Sequence, residues 1–136
     1  MKCLIIFMIQ YKMENFNNTG IYTITNLITD KIYVGSATVA FKHRKYRHFH
    51  TLRNNKHTNK LLQNSFNKYG ESNFIFEILE ECLPEFCISN EIFWTNMLNT
   101  TDRNYGYNIC YPKNGSFGMK HTPETIIKLR NKQLGI

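Results

Sequence analysis

Acidic residues are missing from a long central stretch of this sequence. Between Lys31 and Lys68 there are nine lysines and arginines and four histidines, with no aspartate or glutamate. The next stretch, from Glu71 to Glu91, has six glutamates and no lysine or arginine. The net charge of +7 is therefore concentrated in one segment. Such clustering indicates an anionic partner, nucleic acid or a membrane surface, although two solvent-exposed faces would give the same pattern.

Cysteine pairs with the spacing of a metal site are also missing. No C-x-x-C pair occurs among the four cysteines, which are Cys3, Cys82, Cys87 and Cys110. This argues against a structural zinc site. We expect free thiols, mostly in the core, as is typical of an intracellular reducing compartment.

The sequence has no long hydrophobic run either. The opening residues MKCLIIFMIQ contain one lysine and an apolar run that is too short to cross a bilayer, and no small-residue cleavage motif follows. We expect residues 1–19 to form a loose or edge-packed extension. The 136 residues contain no internal repeat and suit one domain.

What the sequence does contain is a regular succession of short elements. Two runs rich in Ile, Tyr, Thr and Val, residues 20–25 and 31–36, flank NLITD and predict a β-hairpin. If Thr25 lies opposite Asp30, Tyr22 lies opposite Tyr33 and both rings project from one face. The later pattern predicts a basic amphipathic helix in 38–55, a helix in 57–70, a strand in 73–82, a helix in 84–99, and a short helix after a loop over 102–120.

This order predicts an α+β fold with a small antiparallel or mixed three-stranded sheet flanked by helices. Its residues suit phosphodiester cleavage, which needs an attacking oxygen, neutralisation of phosphate charge and help for the leaving oxygen. The hairpin offers two tyrosines, and Glu91 can bind one Mg²⁺, an ion that is held by one or two carboxylates. Sheet packing for the tyrosines and a surface position for Glu91 are the structural alternatives.

Five segments, in order, resemble the motifs of the GIY-YIG nuclease family. They are the pair GIY and YVG, FKHRKYRHF with Arg44, HTNKLLQNSFNKYG with His57, NEIFW with Glu91, and GYNI with Asn108. The resemblance covers residues 20–109, with Val34 in place of isoleucine, and is greatest to intron-type homing endonucleases. The tail GSFGMKHTPETIIKLRNKQLGI resembles a DNA-binding helical repeat. The implied organisation is an extension over 1–19, a nuclease domain over 20–110, and a linker with a DNA-binding tail over 111–136.

The resemblance implies metal-dependent hydrolysis of double-stranded DNA. In this scheme Glu91 holds Mg²⁺ or Mn²⁺, Tyr22 accepts or relays a proton from the attacking water, and Arg44 neutralises the phosphate. The sequence leaves open whether His48 or His57 is the base instead. The implied catalytic residues are Tyr22, Tyr33, Arg44, His48, His57, Glu91 and Asn108, and the DNA-binding residues are Lys42, Lys45, Arg47, Lys60 and Lys68.

The expected partner is double-stranded DNA, with no membrane, no obligate protein partner and a monomeric protein. Two other functions stay open. A non-catalytic nucleic-acid-binding module would need the basic helix but neither Tyr22 nor Glu91. A repair or restriction nuclease of the same fold would share the motifs. Binding to a membrane surface fits less well, because the apolar stripe of the basic helix is narrow.

Overall fold

The computed structural model describes residues 18–109 and, in a C-terminal helical segment, Glu124, Ile127, Lys128, Arg130 and Asn131. The elements are β1 (Gly20–Asn26), β2 (Ile32–Ala37), α1 (Phe41–Arg53), α2 (Lys60–Tyr69), β3 (Phe74–Glu81) and α3 (Cys87–Met97). The three strands form one antiparallel sheet in the order β2-β1-β3. The predicted α+β class and element order are confirmed.

The hairpin forms as predicted, but the predicted register is wrong by two residues. Tyr22 lies opposite Gly35, and Tyr33 lies opposite Ile24. Because side chains alternate between faces with a period of two, a shift of two residues keeps every side chain on its face. Tyr22 and Tyr33 therefore still project from the same face, as diagonal neighbours with ring centroids 6.5 Å apart.

The longer turn causes the change of register. The Asn26 amide donates to the Lys31 carbonyl at 3.0 Å, and the Asp30 amide donates to the Asn26 carbonyl at 2.8 Å. Residues 27–30 therefore all belong to the turn. Asp30 has a φ of 62°, a left-handed conformation that aspartate tolerates better than most residues.

Helices cover both faces of the sheet. On one face, alternate residues of β3 pack with α1 and α2 around Tyr22; this main core includes Ile24, Phe41, Phe49, Leu52, Leu62, Phe66, Phe74, Phe76 and Ile78. The other face presents Ile21, Thr23 and Val34, which are buried where α3 contacts β1 and β2. Glu91 on α3 thus approaches the sheet from the side opposite α1.

The free edge of β2 is bound by the segment after α3. The Ile32 amide donates to the Tyr105 carbonyl at 3.1 Å, and the Tyr107 amide donates to the Ile32 carbonyl at 3.0 Å. The described part of the predicted 102–120 loop is thus turn followed by edge pairing. None of the described helices is long and apolar enough to cross a membrane. The N-terminal extension and most of the tail lie outside the described residues, so the domain boundaries stay predictions.

Candidate active site

Tyr22 is the centre of a buried hydrogen-bonded cluster. Its Oη lies 2.5 Å from Nε2 of His48 and accepts a hydrogen bond from Nε of Arg44 at 3.3 Å. Gly35, directly opposite, leaves room for this hydroxyl, since a Cβ at position 35 would lie 2.3 Å from Tyr22 Oη. The glycine of the second triplet is therefore required by the tyrosine of the first.

Two histidines with nearly parallel ring planes, joined edge to edge by a hydrogen bond, continue the cluster away from Tyr22. Nδ1 of His48 lies 2.7 Å from Nε2 of His57, and the Asn59 amide donates to Nδ1 of His57 at 3.0 Å. A neutral imidazole has one donor nitrogen and one acceptor nitrogen. Because Nδ1 of His57 accepts from a backbone amide, its Nε2 must carry the proton and donate to His48. Nε2 of His48 then donates to Tyr22, whose oxygen accepts two hydrogen bonds.

The electrostatics agree with neutral histidines. Burial, aided by Arg44 and His57, lowers the pKa of His48 to about 3. Burial also lowers the pKa of His57. Burial and the neighbouring Tyr33 raise the pKa of Tyr22, while Arg44 opposes that rise. At neutral pH Tyr22 is therefore a phenol, and its own proton is free to point away from both donors.

Glu91 is an acidic residue that interacts electrostatically with this cluster. Burial raises the pKa of its carboxyl to about 7, against hydrogen bonds from the Ser36 hydroxyl and amide and the charge of Arg44. Electrostatic interaction also links Glu91 to Tyr22. Sequence reasoning missed Ser36, although it directly follows the YVG triplet. Residue 36 lies on the face of β2 that α3 covers, so its side chain can reach α3.

The donor set fits a magnesium ion that is held largely by substrate. No group of three or more His, Cys, Asp or Glu side chains suited to a metal occurs within the described part of the chain. Mg²⁺ does not need one, since it is commonly bound by one or two carboxylates together with phosphate oxygens and waters. Glu91 can supply that one carboxylate once it is ionised.

Asn108 lies at the edge of β2 rather than in the tyrosine cluster. Its side-chain amide accepts from the Val34 amide at 2.8 Å and donates to the Val34 carbonyl at 2.9 Å. The side chain thus acts as one more rung of the sheet beside Tyr33. Its position supports the expectation that it holds the backbone around the site.

The predicted DNA-binding residues separate into different surfaces. Arg47 lines a cavity of about 100 Å³ with Arg44, His48, Thr51, Lys56, His57 and Thr58, here termed the catalytic cleft. Lys42 and Lys45 line a groove of about 900 Å³ beside β3. Lys60 is exposed at the start of α2, and Lys68 lines a third cavity. Lys56, which the prediction omitted, lies next to His57 in the basic segment.

No protein-family model matches the chain. It is 41% identical over 119 residues to intron-associated endonuclease 1 of Enterobacteria phage T4, covering 84% of this chain and 46% of that protein. It is 33% identical over 114 residues to a probable intron-encoded endonuclease 1 of Neurospora crassa, covering 81% of this chain and 36% of the relative. The chain thus spans less than half the length of these curated relatives.

Two solved structures of intron endonucleases also match this chain, and the match covers a larger share of each of them. The catalytic domain of the homing endonuclease I-TevI is 41% identical, with a TM-score of 0.62, and the match covers 68% of this chain and 98% of that domain. A point mutant of the catalytic domain of intron endonuclease I-TevI is 40% identical, with a TM-score of 0.64, and the match covers 71% of this chain and 98% of that domain. The match therefore includes nearly all of a solved catalytic domain.

Proposed function

Because the chain belongs to the GIY-YIG family of intron-associated endonucleases, we propose that it is a metal-dependent homing endonuclease that hydrolyses phosphodiester bonds in double-stranded DNA. The observation that carries this proposal is the cluster of Tyr22, His48 and His57, with Arg44 and the partly buried Glu91 beside it. A divalent cation bound by Glu91 would supply positive charge at the scissile phosphate and make a bound water more acidic.

Tyr22 acts as the base in its phenolate form: the phenol first releases its own proton to solvent, and the phenolate oxygen then takes a proton from the attacking water. Its Oη accepts hydrogen bonds from His48 and Arg44, and these hydrogen bonds become stronger when the oxygen is negatively charged. A free tyrosine has a pKa of about 10, so the phenolate needs such help. Burial raises the pKa of Tyr22, while Arg44 opposes that rise from a fixed position that needs no rearrangement during the reaction, and a cation bound by Glu91 would lower it further.

The two histidines act as donors rather than as bases. Both nitrogens of His48 are engaged, Nε2 towards Tyr22 and Nδ1 towards His57. The Asn59 amide cannot give up its proton, so the direction of the whole chain is fixed. This arrangement favours Tyr22 over either histidine, the alternative that the sequence left open.

Arg44 has a second task at the phosphate. Its Nε is used by Tyr22, which leaves the two terminal nitrogens of the guanidinium for a phosphate oxygen. Arg47 and Lys56 line the same cleft, and no acidic residue is among the lining residues. The cleft therefore suits the polyanionic backbone of DNA.

The two other functions explain less of the geometry. A binding module gains nothing from a partly buried carboxyl whose ionisation is opposed by its surroundings, and it has no use for the donors on Tyr22. A repair or restriction nuclease would use the same cluster, but the relatives reported above are intron-associated.

Cleavage of plasmid DNA tests the proposal. We expect nicked or linear product with Mg²⁺ and none with EDTA. Glu91→Gln should cleave at least about a hundredfold more slowly, as loss of a charged catalytic group typically does. Glu85→Gln is the matched control, because Glu85 is exposed before α3. Near-normal cleavage by Glu91→Gln would remove the metal role of Glu91, and DNA binding without cleavage by the wild type would favour the binding module.

A further inference from the structure

A second cationic cavity lies beside the C-terminal half of α2, apart from the catalytic cleft. Its volume is about 270 Å³. Three separate parts of the chain each contribute one cation to it: Lys31 from the hairpin turn, Lys68 from the last turn of α2, and Arg103 from the loop after α3. The other lining residues are Leu61, Asn64, Ser65, Tyr69, Gly106 and Tyr107.

The charges of this cavity are not neutralised within the described residues. None of its three cations forms an ion pair with a carboxylate in the part of the chain that the structure describes, where Arg53 pairs with Glu71 and Arg130 with Glu80. No carboxylate lines the cavity. Three like charges around one cavity repel one another, and an anion between them would offset that repulsion. The cavity is therefore suited to an anionic ligand.

Local contacts hold the charged groups in place. The Arg103 guanidinium donates to the Asn108 carbonyl at 3.4 Å, and the Lys68 ammonium lies 5.2 Å from the centre of the Tyr69 ring. One residue joins the cavity to the catalytic cluster. The Asn59 amide fixes His57, and the Asn59 side chain donates to the carbonyl of Tyr107 at 2.7 Å.

The cavity and the cleft that holds His57 lie towards opposite ends of α2. From Lys60, just after His57, to Lys68 the helix rises about 12 Å at 1.5 Å per residue. That rise exceeds the axial advance of about 3.4 Å between successive phosphates of one DNA strand, so one phosphate would not serve both places. We propose, on the basis of the function proposed above, that Lys31, Lys68 and Arg103 bind a backbone phosphate of the DNA other than the scissile phosphate.

Salt dependence of binding tests whether Lys68 contacts a phosphate. Binding of a labelled duplex is measured by fluorescence anisotropy over a series of KCl concentrations, in the Glu91→Gln background to prevent cleavage. Lys68→Ala should lower the slope of log affinity against log salt by about 0.9, the value for one lost contact. Lys31→Ala and Arg103→Ala should act similarly, and Lys68→Arg should restore the slope.

Arg53→Ala is the charge-matched control. Arg53 loses the same charge, but it pairs with Glu71 and lines the groove beside β3 instead. Its slope should stay close to that of the parent protein. If Lys68→Ala, Lys31→Ala and Arg103→Ala all behave like Arg53→Ala, the second phosphate site is wrong.

A single neutral methylphosphonate, placed at each position around the mapped cleavage site, tests the location. In the parent protein, substitution at one position away from the cut should weaken binding, and with Lys68→Ala the same substitution should have no further effect. Equal effects in both proteins would overturn the assignment. Wild-type cleavage of the unmodified duplex is measured in parallel, so that failure of the nuclease function is seen separately.

Discussion

Replacing Tyr22 by phenylalanine should destabilise the protein more than the loss of a solvent-exposed hydroxyl would. The change removes only Oη, the acceptor for Nε2–H of His48 and Nε–H of Arg44. His48 is buried and would keep an unsatisfied donor, at a cost of about 1–3 kcal/mol, whereas half-buried Arg44 can turn to water at about 1 kcal/mol. We therefore expect a loss of about 2–4 kcal/mol in the free energy of unfolding.

Urea unfolding measures this loss, with Tyr105→Phe as the matched control. Tyr105 undergoes the same chemical change but is 56% exposed, so its variant should stay within about 0.5 kcal/mol of the wild type. At temperatures where both variants are folded, Tyr22→Phe should also cleave at least about a hundredfold more slowly. Equal stability of the two variants would refute the hydrogen-bonded cluster, and normal cleavage by a folded Tyr22→Phe would make Tyr22 a structural residue.

Three further predictions concern the charged groups of the site. Arg44→Ala should lower single-turnover cleavage at least about a hundredfold while DNA affinity changes little, because other cations line the cleft; equal losses would make it a phosphate anchor. In metal-free buffer, the unfolding free energy of the wild type relative to that of Glu91→Gln should fall by about 3 kcal/mol as the pH rises from 4.5 to above 7. The reason is that the folded state holds a proton on Glu91 up to a pKa of about 7. A difference that is independent of pH would contradict this prediction. Ser36→Ala should weaken Mg²⁺ binding at pH 7 by about tenfold in calorimetric titration, because it removes a hydrogen bond to the ionised carboxylate; unchanged affinity would show that Ser36 does not orient Glu91.

The elements and the shared face of the tyrosines could be predicted because both follow from periodicity. A face depends only on whether residue numbers differ by an even number, so the prediction for Tyr22 and Tyr33 held although their register was wrong by two residues. The register itself depended on Asp30, whose left-handed conformation lengthened the turn. Several residue types can adopt that conformation, so the sequence did not specify it.

The division of the basic helix between two surfaces could also have been predicted from periodicity. Arg44, Arg47 and His48 recur at helical spacing and line the catalytic cleft, whereas Lys42 and Lys45 lie on another side and line the groove beside β3. Placing Lys42, Lys45 and Arg47 in one DNA-binding set overlooked this separation. A helical projection of residues 41–53 would have revealed it.

The supporting contacts could not be predicted, one because it joins residues far apart in the chain and the other because it uses a backbone group. Asn108 binds Val34, 74 residues away, and Asn59 fixes His57 only through its backbone amide. A backbone donor is present at every residue except proline, so nothing in the sequence marks this one as special. The amide and the ring nitrogen belong to residues two apart, so the local conformation of residues 57–59 brings them together.

That backbone amide explains why the site combines neutral histidines with a tyrosine. If the donor to His57 were a side chain instead of the Asn59 backbone amide, that donor could rotate or change its protonation. The order of protons along His57 and His48 could then reverse. An amide can do neither, so Tyr22 always receives a donor from His48. The cluster thus keeps a single polarity, with Arg44 as its fixed charge and Glu91 as the group whose charge changes near neutral pH. Ionisation of Glu91 is therefore the step through which pH would act on this site.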